Sequence, residues 1–134
     1  MANPIRPAVI DHIVLRVVDI EAMTLFYVDV LGCTPEREVK EIGLFQFRVG
    51  SSLIDLVPVT GKLGAGGGEA PDPNARNLDH FCLTLKEFDE AKIREHLTRH
   101  GVEASPAGNR YGATGFGTSI YIRDPEGNGI ELKA

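Results

Sequence analysis

The sequence predicts an α+β protein built from two βαβββ modules, and three observations carry the prediction. A strand pattern at Asp11-His12-Ile13-Val14-Leu15-Arg16-Val17 returns about half the chain later as Asp79-His80-Phe81-Cys82-Leu83-Thr84-Leu85. A helical pattern follows each copy and stops at a glycine, Gly32 or Gly101. Each half then closes on a carboxylate between aliphatic residues, Ile54-Asp55-Leu56 and Ile130-Glu131-Leu132. Each half therefore reads β-α-β-β-β.

Taken in order, residues 1–8 read as an arm, because Pro4 and Pro7 discourage regular structure. A strand over 9–17 puts Ile13, Leu15 and Val17 on one face and His12, Val14 and Arg16 on the other. Asp19 can cap a helix in which Met23, Phe26, Tyr27, Val30 and Leu31 recur at helical spacing. Two strands are expected within 34–49, and a turn at Gly50-Ser51 leads into a fourth over 52–57. This first module covers 1–58. The glycine- and proline-rich stretch 59–77 reads as an inter-module linker, and its spacing is not that of a phosphate-binding loop.

The second module, 78–134, repeats the order. After the His80 strand comes a helix over 86–100 carrying Phe88, Ala91, Ile93 and Leu97. A short strand over 102–105 and an irregular loop over 106–116 follow. A strand over 117–123, a turn at Asp124-Pro125-Glu126-Gly127-Asn128 and a last strand over 129–133 complete the chain.

Composition narrows the partners. The 134 residues suffice for one core, and a net charge of −5 with no basic run argues against nucleic acid and anionic membranes. No apolar run reaches membrane-spanning length, and the N-terminus lacks a signal-peptide core. Cys33 and Cys82 make neither a CxxC pair nor a disulfide framework. A cytoplasmic protein with reduced thiols is expected.

Each helix can cover the aliphatic face of its own sheet, which leaves His12, Asp55, His80 and Glu131 on the opposite faces. If the modules pack side by side, those faces line one trough. Two imidazoles and two carboxylates suit a divalent transition metal: iron, zinc, manganese, nickel or cobalt. Arg16 shares the His12 face, and Arg110 and Tyr111 lie on the expected loop; the three are candidate substrate contacts. Asp11 and Asp79 point away from the histidines and read as structural, as do His96 and His100 on the second helix. Cys82 is expected to be a small buried hydrophobe.

These stretches, together with Phe26-Tyr27, Leu31-Gly32 and the run from Tyr121 through Asn128 into Ile130-Glu131-Leu132, resemble the vicinal oxygen chelate superfamily. That superfamily includes glyoxalase I, extradiol dioxygenases, methylmalonyl-CoA epimerase and the fosfomycin and bleomycin resistance proteins. The resemblance implies paired βαβββ modules that form an open, cup-shaped mixed β-sheet, helices outside, around a metal held by His12, His80 and Glu131. Asp55 falls at a fourth position, where glyoxalase-like members usually carry glutamate or glutamine. Glu131, with Asp55 second, is the implied proton-moving base. The implied function is metal-dependent chemistry on a small substrate with adjacent oxygens, lyase or isomerase ahead of dioxygenase. The alternative is a drug- or metabolite-binding protein of the bleomycin-resistance type. A homodimer is implied too, in which His12 and Asp55 of one subunit could meet His80 and Glu131 of the other.

Overall fold

The alternation of apolar and polar residues settles into eight strands and two α-helices over residues 2–134, which a computed structural model describes. In the first half, β1 (His12–Val17), α1 (Ile20–Leu25), β2 (Thr34–Val39), β3 (Leu44–Val49) and β4 (Ser52–Pro58) build one mixed sheet. Its order is β1-β4-β3-β2, with β1 parallel to β4 and the other pairs antiparallel. The second half repeats it with β5 (His80–Thr84), α2 (Glu90–Arg99), β6 (Gly108–Gly112), β7 (Gly115–Arg123) and β8 (Gly129–Lys133). Their order is β5-β8-β7-β6. The fold is α+β, and both sheets stay open at their edges.

Both helices start where an aspartate offers its side chain. Asp19 accepts from the Ala22 amide at 3.0 Å, and Asp89 accepts from Lys92 at 3.1 Å. The second helix therefore begins at Glu90, later than its periodicity suggested. The first helix widens into a π-helical turn at Phe26–Val30, which buries both Phe26 and Tyr27. Gly32 and Gly101 end the helical stretches with φ of +73° and +68°.

Two expectations in the second half change. Residues 108–112 are strand, not loop, because pairing with β7 outweighs the low strand preference of two glycines. Residues 102–105 are not a strand. Ser105 alone extends the ladder, donating its amide to the Tyr121 carbonyl at 2.9 Å and accepting the Tyr121 amide at its Oγ.

One core serves both halves. Leu15, Val17, Met23, Tyr27 and Leu56 belong to the same buried cluster as Leu97, Ile120, Ile122, Ile130 and Leu132. Polar contacts fasten the halves at its rim. The buried Tyr27 hydroxyl donates to Asp124 at 2.9 Å, and the Glu126 carboxylate accepts from the amides of Val18 and Asp19. The ring N–H of His96 donates to the Val30 carbonyl at 2.9 Å. Since the aliphatic faces of both sheets enter this core, the faces bearing His12 and His80 both look away from it.

Candidate functional site

The parallel pairing of β1 with β4 brings Val14 level with Asp55, and that of β5 with β8 brings Cys82 level with Glu131. Each sheet thus sets a histidine near the start of one strand against a carboxylate on its neighbour. In the second half, His80 Nε2 lies 3.4 Å from Glu131 Oε1. In the first half, the Asp55 carboxylate is near enough to help raise the pKa of His12. Both carboxylates are nearly buried, Asp55 at 4% exposure and Glu131 at 6%.

The residues just before the histidines matter more than their outward placement suggested. His12 Nδ1 lies 2.6 Å from an Asp11 oxygen, and His80 Nδ1 lies 2.6 Å from an Asp79 oxygen. The Asp11 hydrogen bond is the largest cause of the raised His12 pKa, ahead of Asp55. The bond to His80 likewise lowers the Asp79 pKa. Each carboxylate orders a proton onto Nδ1, so that Nε2 is the atom left to act. Asp11 and Asp79 turn back onto the histidines instead of pointing away from them. The signal was the Asp-His dipeptide itself, present in both halves.

In the second half a ring nitrogen, His80 Nε2, and a carboxylate oxygen, Glu131 Oε1, face each other across 3.4 Å. The donor set (two oriented imidazoles and two shielded carboxylates) therefore fits a divalent metal chemically. Within one chain the four do not converge. Among the described residues, no three His, Cys, Asp or Glu side chains gather closely enough to hold an ion. Among the described residues, the His12–Asp55 pair and the His80–Glu131 pair lie on separate sheets.

The remaining candidates divide. Arg16 commits its guanidinium to the glycine-rich segment: Nε donates to the Gly64 carbonyl at 2.8 Å and Nη2 to Gly68 at 2.6 Å. Its Nη1 serves Gly67 and Glu69. It fastens a loop with four of its five N–H donors, leaving one Nη2 hydrogen for any substrate contact. Tyr111 points to the sheet face opposite His80, where it is 75% exposed and packs edge-on against Phe116. Arg110 does share the His80 face; its Cζ sits 4.6 Å above the Tyr121 ring, and Nη1 donates to the Ser119 carbonyl. Cys82 is exposed, not buried.

Two further residues stand across from the carboxylates, and of these strand patterning offers Gln46 but not Tyr121. Gln46 pairs with Asp55 and donates to both its oxygens at 3.1 and 3.2 Å. Tyr121 pairs with Glu131, and burial followed by that carboxylate raises its phenol pKa. A cleft of about 850 Å³ between α1 and the 100–105 segment contains none of the four candidate ligands.

The model of the Glyoxalase/Bleomycin resistance protein/Dioxygenase superfamily matches residues 9–132. The virulence protein STM3117 of Salmonella typhimurium is 30% identical over 128 residues, spanning 92% of this chain and 81% of that protein. The V. cholerae integron cassette protein VCH_CASS1 superposes with a TM-score of 0.76 at 29% identity, covering 96% of both chains. Lactoylglutathione lyase from Agrobacterium tumefaciens shares the fold at a TM-score of 0.65 and 22% identity, over 96% of this chain and 94% of that one.

Proposed function

This chain belongs to the Glyoxalase/Bleomycin resistance protein/Dioxygenase superfamily, and from that premise we propose that it is a metal-dependent enzyme acting on a small substrate with neighbouring oxygen donors. The observation that carries the reading is the twice-used Asp–His pair with a shielded carboxylate on the adjoining strand. The ion belongs at the contact of two subunits, where His12 and Asp55 of one meet His80 and Glu131 of the partner subunit. The two outward-facing half-sites support this placement, because a two-fold dimer would complete two equivalent centres at once. The proposed unit is a homodimer of chains each divided as 1–58, 59–77 and 78–134.

Bound there, a divalent metal supplies Lewis acidity to the adjacent oxygens of the substrate. Glu131 is the group to move a proton between substrate carbons. Its carboxylate is shielded from water and flanked by His80 and Tyr121. Asp55 stands second, since Gln46 already occupies both its oxygens and its side chain is one methylene shorter than glutamate. A shielded base beside the ion favours lyase or isomerase chemistry over oxygenation.

Metal analysis tests the reading. After reconstitution with iron, zinc, manganese, nickel or cobalt, about one equivalent per chain is expected, and His80→Ala should lose it. Less than about a tenth of an equivalent with every metal would leave the binding-protein alternative. A screen of the loaded protein against methylglyoxal–thiol adducts, catechols and acyl-CoA epimers then identifies the reaction.

A further inference from the structure

The second helix carries two histidines that the proposed centre leaves unused. His96 lies on α2 and His100 closes it, about one helical turn further on, with the two ring centres 4.5 Å apart. Each ring is already held by a main-chain oxygen. His96 Nε2 lies 2.9 Å from the Val30 carbonyl oxygen, and His100 Nδ1 lies 2.9 Å from the carbonyl oxygen of His96. A carbonyl oxygen only accepts, so the proton of each neutral ring sits on the nitrogen facing it. The lone pairs are therefore fixed at His96 Nδ1 and His100 Nε2, and neither is bonded by a described residue.

Imidazoles that bind metals are held in this way: one ring nitrogen donates to a protein oxygen, and the other is left basic and oriented. Histidines at i and i+4 on one helical face make a chelating pair. Spacing selects the kind of ion. A coordinated nitrogen lies about 2 Å from a divalent ion, which puts its ring centre about 3.2 Å away. Two such rings meeting at a right angle have centres about 4.5 Å apart, against about 5.2 Å at the tetrahedral angle. The observed spacing is that of neighbouring corners of a square-planar or tetragonal ion, the geometry of copper(II) and nickel(II).

The surrounding charges leave room for a cation. All three cations of α2 are matched by carboxylates, Lys92 by Asp89 at 3.6 Å, Arg94 by Glu90 at 2.9 Å and Arg99 by Glu95 at 3.9 Å. His100 opens onto the cleft between α1 and the 100–105 segment, where Asp29 and Glu103 have no ion-pair partner among the described residues. Arg123 shares that lining, with Nη1 donating to the Gly127 carbonyl.

We infer that His96 and His100 form a second cation site, a two-imidazole clamp for copper(II) or nickel(II) whose remaining corners are filled by water. It shares no residue with the proposed centre. Because His96 also holds Val30 of the first half, an ion on the pair braces α2 against the helical turn there. Two protein ligands release their ion on gel filtration, so this site escapes a count of retained metal and is read by titration.

The full chain carrying His12→Ala and His80→Ala, which removes both imidazoles of the proposed centre, is titrated with copper(II) alone. Backbone amide signals report the place, because the paramagnetic ion bleaches those nearest to it. Saturation at about one ion per chain in the micromolar range is expected, with bleaching centred on 96–100 and reaching Val30. His100→Gln, at an exposed position, should weaken binding about tenfold, and His96→Gln likewise, while Arg37→Gln on β2 leaves it unchanged. Zinc should bind about tenfold more weakly than copper. Saturation only in the millimolar range, bleaching centred on Cys82 or the N-terminus, affinity unchanged in His100→Gln, or zinc binding as tightly as copper overturns the inference. Should His96→Gln fail to fold, His100→Gln and the bleaching pattern decide.

Discussion

Asp79 and Asp11 hold the histidines by Nδ1, and this gives a measurable role to residues that period-two reasoning set aside. Strand periodicity assigns a side chain to a face, yet a short carboxylate at the strand entry can turn back to its neighbour, as both aspartates do at 2.6 Å. Asp79→Ala should lower zinc affinity about 10- to 100-fold in a chelator competition, with the fold intact by circular dichroism. An unchanged affinity would mean that Asp79 serves only its contact with Arg76. The two thiols differ at the same scale. Cys33 is 7% exposed, and burial pushes its pKa up to about 11, whereas Cys82 is exposed with its pKa raised less. Ellman's reagent should modify Cys82 alone in the folded metal-free protein, faster as pH passes 9. Folded Cys33 holds its proton more tightly than the unfolded chain does. Its contribution to stability is therefore full below about pH 9 and lost as pH rises toward 11, visible as a falling urea midpoint.

At the scale of elements, local sequence is least informative where distant partners organise a segment. The glycine-rich stretch read as a plain linker because its composition carries no periodicity. What orders it is Arg16 on β1, which no local pattern in 59–77 announces. A β-carbon at Gly64 would run into the Pro58 carbonyl oxygen, so glycine there permits close packing against the end of β4. Strand β6 was read as loop for the converse reason: its glycines obscure a register that β7 imposes. Helices, caps and the 124–128 turn were legible because their determinants are local. That turn also has a task no local reading gives, since Asp124 receives the Tyr27 hydroxyl and two hydrogen bonds from Asn128. Tyr27→Phe removes a buried donor and should cost about 1–3 kcal/mol, measured as a lowered urea midpoint at constant m-value.

For the whole molecule, repetition made both histidine–carboxylate pairs visible, but periodicity could not say how the sheets would be arranged. It says which residues share a face and nothing of where that face looks. The shared core turns both donor faces outward, and this makes the proposed centre a property of two chains. A mixture of His12→Ala and Glu131→Gln proteins, refolded together, tests this directly. Random pairing makes half the dimers mixed, and each mixed dimer regains one undamaged centre, so about one quarter of all centres should bind metal. If the four ligands instead came from one chain, mixing would restore none.

The single core has an outcome of its own. Residues 1–58 expressed alone would present Leu15, Val17, Tyr27 and Leu56 to water, and should precipitate. A protease nick between the halves, by contrast, should leave two fragments that co-elute, because each is the other's inner lining. Duplication in this chain is a one-way step: having merged their interiors, neither copy can be discarded.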